Sequence, residues 1–204
     1  MNRQALLLYL ILAFGSQYDC AETSLPVFPV SEGACQSNNL PVLVQPEEDI
    51  RSGNDLLATY CKAEITPQGL EMKISYVFRD ELHPSIWKDR IYRIYRKFKY
   101  GRTMDIESVL VRWKVNGDLE EIDLKNVYSG DQVFRSDPVR HYDSVLKPAK
   151  MEFRNLRPVL FVNTWNHMFG EKDTNPQLPK MEILDTELRY GSRESLDGYF
   201  RGDN

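Results

Sequence analysis

Residues 70–79 alternate so strictly that a half-buried β-strand is the form they fit. Leu70, Met72, Ile74, Tyr76 and Phe78 fall on one side, and Glu71, Lys73, Ser75 and Arg79 on the other. Side chains two apart in an extended chain share a face, so this segment sets one face on a core and one on water. Further strand signals surround it. Residues 56–64 form a second expected strand. Asn116-Gly117 marks a tight hairpin between a strand ending near Lys114 and one over residues 120–127. Residues 151–153 and 158–163 add two short apolar pieces, and there is no repeat or low-complexity tract. The pattern predicts a mainly β protein, a single β-sandwich with short helices.

The chain opens on Met1-Asn2-Arg3-Gln4 and then an unbroken apolar run over residues 5–14. One positive charge before ten apolar residues is the form of a signal-peptide core, too short to span a bilayer. Small residues at Ala13 and Gly15 place the cleavage after Gly15. The mature product is expected to be secreted, with no integral membrane segment. The division is then a signal peptide over 1–15, an extended N-terminal segment over 16–50 and one sandwich domain over 51–204. Cysteine usage agrees with an oxidising compartment. Of Cys20, Cys35 and Cys61, the pair Cys35 and Cys61 is expected to form the disulfide, because Cys20 lies in a loose leader. A net charge of -4 gives no reason to expect a nucleic-acid partner.

Chemistry concentrates at Gly101-Arg102-Thr103-Met104-Asp105-Ile106-Glu107, which runs into the β-rich Ser108-Val109-Leu110-Val111-Arg112-Trp113. On a strand Asp105 and Glu107 share a face, and two adjacent carboxylates repel unless a cation, a proton or a basic partner relieves them. They are therefore candidates for a calcium or magnesium site or for acid/base work, with pairing to Arg102 as the structural alternative. His141-Tyr142-Asp143 puts a His and an Asp on one face, and His167 follows the apolar strand 158–163 in a polar-aromatic loop. His141, Asp143 and His167 could join Asp105 and Glu107, or His167 could simply fix its loop by hydrogen bonds. His83 reads as an ordinary surface residue. Glu171-Lys172-Asp173-Thr174-Asn175-Pro176 reads as a turn. No Gly-x-Ser-x-Gly elbow, phosphate-binding glycine loop or zinc spacing is present.

Residues 91–100 admit two readings. As a helix, Trp87, Ile91, Ile94, Tyr95 and Phe98 form one stripe. As a strand, Tyr92, Ile94, Phe98 and Tyr100 point inward with Arg96 the exception, and the density of β-branched and aromatic residues favours this strand. Either way Lys88, Arg90, Arg93, Arg96, Lys97, Lys99 and Arg102 make a basic band. Such a band suits anionic surfaces, lipid headgroups or acidic glycans, unless nearby acids balance it.

The order Gly-x-x-x-Asp-x-Glu at Gly101, Asp105 and Glu107, an alternating strand, Tyr128-Ser129-Gly130, and then Pro158-Val-Leu-Phe-Val-Asn163 with His167 shortly after resembles the secreted necrosis- and ethylene-inducing-like proteins. It also resembles a related vacuolar-sorting-associated β-sandwich family with a Gly-Asp-Trp-Glu strand start. The resemblance covers roughly residues 70–176. In the first family the heptapeptide reads Gly-His-Arg-His-Asp-Trp-Glu, so Arg102, Thr103, Met104 and Ile106 depart from it. The resemblance implies a sandwich with a divalent cation at Asp105 and Glu107, binding a glycan or membrane glycolipid without turning it over. Arg102 stands where that family has a His, and its guanidinium would occupy or repel the cation site.

These readings predict a secreted binding protein more than an enzyme. One alternative is a metal-dependent hydrolase using Asp105, Glu107, His141 and His167. The other is a structural or adhesion protein displaying the C-terminal Arg201-Gly202-Asp203.

Overall fold

The segment that alternates most strictly forms β3 (Gly69–Phe78), flanked by β2 (Leu56–Thr66) and β4 (Asp105–Lys114), both antiparallel to it. The computed structural model describes residues 25–28 and 35–202. β4 turns through Asn116-Gly117, where Gly117 has φ 86°, into β5 (Leu119–Tyr128), as the turn dipeptide predicts. The expected pieces near 151–153 and 158–163 form β7 (Phe153–Arg154) and β8 (Arg157–Val162).

The remaining strands are β1 (Val42–Pro46), β6 (Tyr142–Leu146), β9 (Phe169–Gly170), β10 (Lys180–Ile183) and β11 (Leu188–Tyr190). They join one sheet in the order β10-β1-β8-β9-β5-β4-β3-β2-β11, with β6 on β5 and β7 on β8. The sheet curls until its two limbs face each other, which makes the architecture sandwich-like. Leu43 of β1 and Leu160 and Val162 of β8 share one core with Met72, Ile74, Tyr76 and Phe78 of β3 and Ile122 and Leu124 of β5. Tyr76 meets Phe169 edge-on, with ring centroids 5.5 Å apart. Each large apolar side chain fully buried here contributes about 1.5–3 kcal/mol, so this inner face fixes the register.

Two sequence expectations change. The stretch 16–50, read as an extended entry, contains β1, whose five residues are all buried between β10 and β8. A strand buried on both faces shows no alternation, so the continuous apolar run hid it. Residues 91–100 belong to a helix, α2 (Ile86–Tyr100), not a strand. Arg96 is its one buried residue, and only the helix lets the guanidinium meet carboxylates: Arg96 Nη2 donates to Asp80 Oδ1 at 2.8 Å, and Nη1 lies 3.3 Å from Glu81. As an inward strand residue it would be a buried cation without a partner. Gly101 ends the helix at φ 71°, and a Cβ there would stand 2.1 Å from the Phe200 carbonyl oxygen.

The short helix α1 (Glu47–Arg51) follows β1, and α3 (Arg193–Arg201) starts at Ser192, whose hydroxyl accepts from the Ser195 amide. α3 covers the outer face of β2–β4, where Leu196 packs with Tyr60, Val77 and Ile106. The predicted disulfide joins Cys35 to Cys61 of β2. The expected signal peptide, Cys20 and Asp203 lie outside the described residues. No described helix is long and apolar enough to cross a membrane.

Candidate functional site

The register that pairs Phe78 with Asp105 and Tyr76 with Glu107 puts both carboxylates on the inner face of the sheet, in line with Val109 and Val111. The apolar core therefore ends in a charged layer at one end of the curled sheet. A cavity of about 260 Å³ opens there, lined by Glu81, Asp105 and Glu107, by Arg96, Arg102, Arg193 and Lys125, and by Tyr92, Tyr100, Asn126, Asn166 and His141.

His167 lies in the β8–β9 turn, behind Asp105. Its amide donates to the Thr164 carbonyl, and the Met168 amide donates to Thr164 Oγ1. These bonds hold His167 at φ 57°. The ring is fully buried and stacks on Phe78 at 3.8 Å. Nδ1 donates to Asp105 Oδ2 at 2.7 Å, and Nε2 lies 3.4 Å from Asp49 Oδ2. Asp49 is itself held by the side-chain amides of Gln45 and Asn54, each donating at 2.7 Å. Burial alone would strip the proton from His167, but the Asp49 and Asp105 carboxylates more than offset this and push its pKa up to about 10. Burial works against the Asp105 charge as well, but the His167 bond and charge together with the Arg102 and Arg96 charges outweigh it, so Asp105 is held below the usual carboxylate range. His167 and Asp105 are thus an internal ion pair, and His167 does not reach the cavity.

The other two carboxylates behave in the opposite sense. Burial and then the neighbouring Asp105 charge push Glu81 up to about 8, although Arg96 lies 3.3 Å away. The same two causes raise Glu107 well above its ordinary value. Among the described residues no side chain donates a hydrogen bond to Glu107 or forms a salt bridge with it, while Arg193 offsets part of its burial from a distance. The cavity therefore sets one carboxylate held ionised, Asp105, beside two whose hold on the proton is strengthened, Glu81 and Glu107, among the guanidinium groups of Arg96, Arg102 and Arg193.

The guanidinium groups are anchored from behind. Arg102 donates to the Met104 carbonyl and to Asp197 Oδ1 at 3.2 Å, not to Asp105 or Glu107 as the structural alternative had it. Arg193 donates to the Ile106 carbonyl and to Asp197 Oδ2 at 2.9 Å. Asp197 is thus shared between two arginines. Arg96 and Arg102 are both more than nine-tenths buried, and the Nε of each is a buried donor without a partner. Burial and the nearby Arg193 lower the pKa of Arg102.

The sequence-predicted residues divide. Arg102, Asp105, Glu107 and His141 converge on the cavity. Asp143 does not: its carboxylate accepts from the Asn126 amide at 2.6 Å, while His141 Nδ1 lies 3.0 Å from the Asn126 carbonyl. The proposed four-residue hydrolase set is not assembled, since His167 is buried behind Asp105. His83 is not a surface residue either, because its side chain is 8% exposed and packs on Trp165. Asn175 in the turn after β9 is fully buried, where it bonds Phe134 and Asn163. Among the described residues no three His, Cys, Asp or Glu groups converge as metal ligands. Asp105 gives one oxygen to His167, and guanidinium groups flank it. The donor set therefore does not fit the calcium or magnesium site expected at Asp105 and Glu107.

Sequence reading missed Asp49, Glu81 and Arg193. Asp80-Glu81 lies one residue past the end of β3, as Asp105 begins β4, and that symmetry was the available signal. Asp49 and Arg193 come from distant chain segments and carried none.

No family model matches the chain, and no curated protein does. Among solved structures, necrosis and ethylene inducing protein 2 from the causal agent of cocoa's witches' broom disease is similar, with a TM-score of 0.41 at 8% identity over 87% of this chain and 81% of that one.

Proposed function

We propose that the chain is a secreted glycan-binding protein, taking a glycan or the sugar headgroup of a membrane glycolipid in the cavity at the mouth of the sheet. One observation carries this reading: the cavity interleaves hydrogen-bond donors and acceptors, beside Tyr92 and Tyr100. Sugar hydroxyls both donate and accept, and their carbon faces pack on aromatic rings, so a polyhydroxyl ligand matches each group. The two orphaned guanidinium Nε donors and the clustered guanidinium groups favour a glycan bearing a carboxylate, sulfate or phosphate. The signal-peptide pattern at residues 5–14 supports export.

The test is binding of acidic and neutral oligosaccharides to the purified chain by array and then calorimetry. Tyr100→Ala and Lys125→Ala should each weaken binding by about tenfold, the scale of one good polar or stacking contact, without lowering the melting temperature by more than a few degrees. Binding that ignores both changes would remove the cavity from the account. Since the donor set does not fit a cation, millimolar calcium or magnesium should leave affinity and melting temperature unchanged.

A second reading rests on the contrast between Asp105, held below the usual carboxylate range, and Glu107, raised above it. A proton-holding carboxyl beside an ionised one is the arrangement acid/base glycosidases use. Release of reducing sugar from a bound oligosaccharide, lost in Glu107→Gln, would favour it over binding alone.

A further inference from the structure

α2 carries its apolar side outward. Its one buried residue is Arg96, whereas Trp87, Ile91, Ile94, Tyr95 and Phe98 are 74%, 71%, 62%, 47% and 89% exposed. These five recur at the spacing of one helical stripe, and at about 100° per residue the cavity-lining Tyr92, Arg96 and Tyr100 fall on the opposite side. A continuous apolar strip of this size on a helix is a contact surface rather than scattered exposure. Cations border it on both flanks, Arg90 and Lys97 on one and Lys88 and Lys99 on the other. Lys88 is paired to Asp137, while Arg90, Lys97 and Lys99 form no ion pair with an acid among the described residues. Arg90 lies over the Trp87 ring at 5.4 Å and Lys99 over the Tyr95 ring at 5.2 Å, so the charges sit level with the edge of the aromatic strip.

We propose that the outer face of α2 docks on the surface of an anionic lipid bilayer, with the apolar strip at the headgroup boundary and the flanking cations against lipid phosphate and carboxylate groups. A helix with aromatic and aliphatic residues on one side and Lys and Arg beside them lies in the plane of that boundary. Fifteen residues span about 22 Å, short of a bilayer crossing and long enough to lie along one. A second copy fits less well. Two α2 faces brought together about a two-fold axis would set cation rows against cation rows. The docking does not depend on cavity occupancy, because the strip and the cavity use opposite sides of α2.

The test uses the chain from Ser16 onward, sedimented with phosphatidylcholine vesicles with and without phosphatidylserine. The wild type should partition onto the anionic vesicles and lose that binding as salt rises. The Ile91→Ser/Phe98→Ser double variant should melt as the wild type does and bind the anionic vesicles at least about tenfold less, since two exposed side chains no longer transfer out of water. Arg90→Glu/Lys97→Glu should abolish the preference for phosphatidylserine. The proposal is overturned if the wild type stays in solution with anionic vesicles, or if the Ser variant binds them equally well. A concentration-dependent dimer abolished by Phe98→Ser, without vesicle binding, would overturn it in favour of self-association. Oligosaccharide binding measured on the same variants should be unchanged, so failure of the docking face and failure of the cavity reading give different results.

Discussion

Replacing His167 with Gln tests whether the charged layer at the end of the core is held by an internal ion pair. The Gln amide retains hydrogen-bonding capacity and removes the charge, and it takes the same φ of 57° as another non-glycine residue, so the backbone strain is shared. Raising the His167 pKa from 6.5 to about 10 corresponds to about 5 kcal/mol, at about 1.4 kcal/mol per tenfold change in proton affinity. That is an upper bound, because Asp105 shares the same interaction. Breaking one side of a buried pair costs about 3–5 kcal/mol, so we take about 4 kcal/mol. For a domain of this size that lowers the melting temperature by about 8–16 °C. The pH dependence separates charge from packing. The folded-state value of His167 lies above its unfolded value, so its contribution is complete below pH 6.5 and disappears as pH rises through about 10. Asp105 is depressed, so its contribution is present above pH 3.8 and is lost as pH falls below that value toward its lower folded one. The gap between wild type and His167→Gln in urea melts should therefore be widest between pH 3.8 and 6.5 and narrow toward pH 10. A gap below about 1 kcal/mol, or one constant across that range, would refute the ion pair.

Asp105→Asn should destabilise the fold by about 2–4 kcal/mol and let Glu81 and Glu107 ionise at lower pH, visible as downfield shifts of their carboxyl carbons at neutral pH. Glu107→Gln should be within about 0.5 kcal/mol of wild type below pH 4.5, where the carboxyl holds its proton in both the folded and the unfolded chain and the amide resembles it. Its folded pKa is raised, so the wild type loses stability as pH climbs above 4.5 while the variant does not, and alkaline urea melts should show Glu107→Gln ahead. Arg96→Met removes the partner of Glu81 and leaves Asp80 with Arg93 alone, and should cost about 3–5 kcal/mol by chemical denaturation. Gly101→Ala should cost about 1–3 kcal/mol and loosen the end of α2, read by amide exchange, because its Cβ meets the Phe200 carbonyl.

The sequence by itself determined the elements whose information is local. The alternation of residues 70–79 and the Asn116-Gly117 turn appear as read, because period and turn chemistry act over a few residues, and the Cys35–Cys61 pairing appears as elimination of Cys20 implied. It also brought Arg102, Asp105, Glu107 and His141 forward, since adjacent carboxylates and a basic neighbour are visible in a linear chain. Tertiary structure decided the rest. β1 is a strand because two other strands bury it on both sides, a condition its unpatterned apolar run does not encode. α2 is a helix because Arg96 must reach carboxylates on the preceding loop, which outweighs the β-propensity of its Ile and Tyr residues. The roles in the site were decided the same way. Asp105 is paired with His167, sixty-two positions away, and not with Arg102 three positions before it. Burial sets the strength of each charge interaction, and burial is a property of the closed sheet that no window of sequence contains.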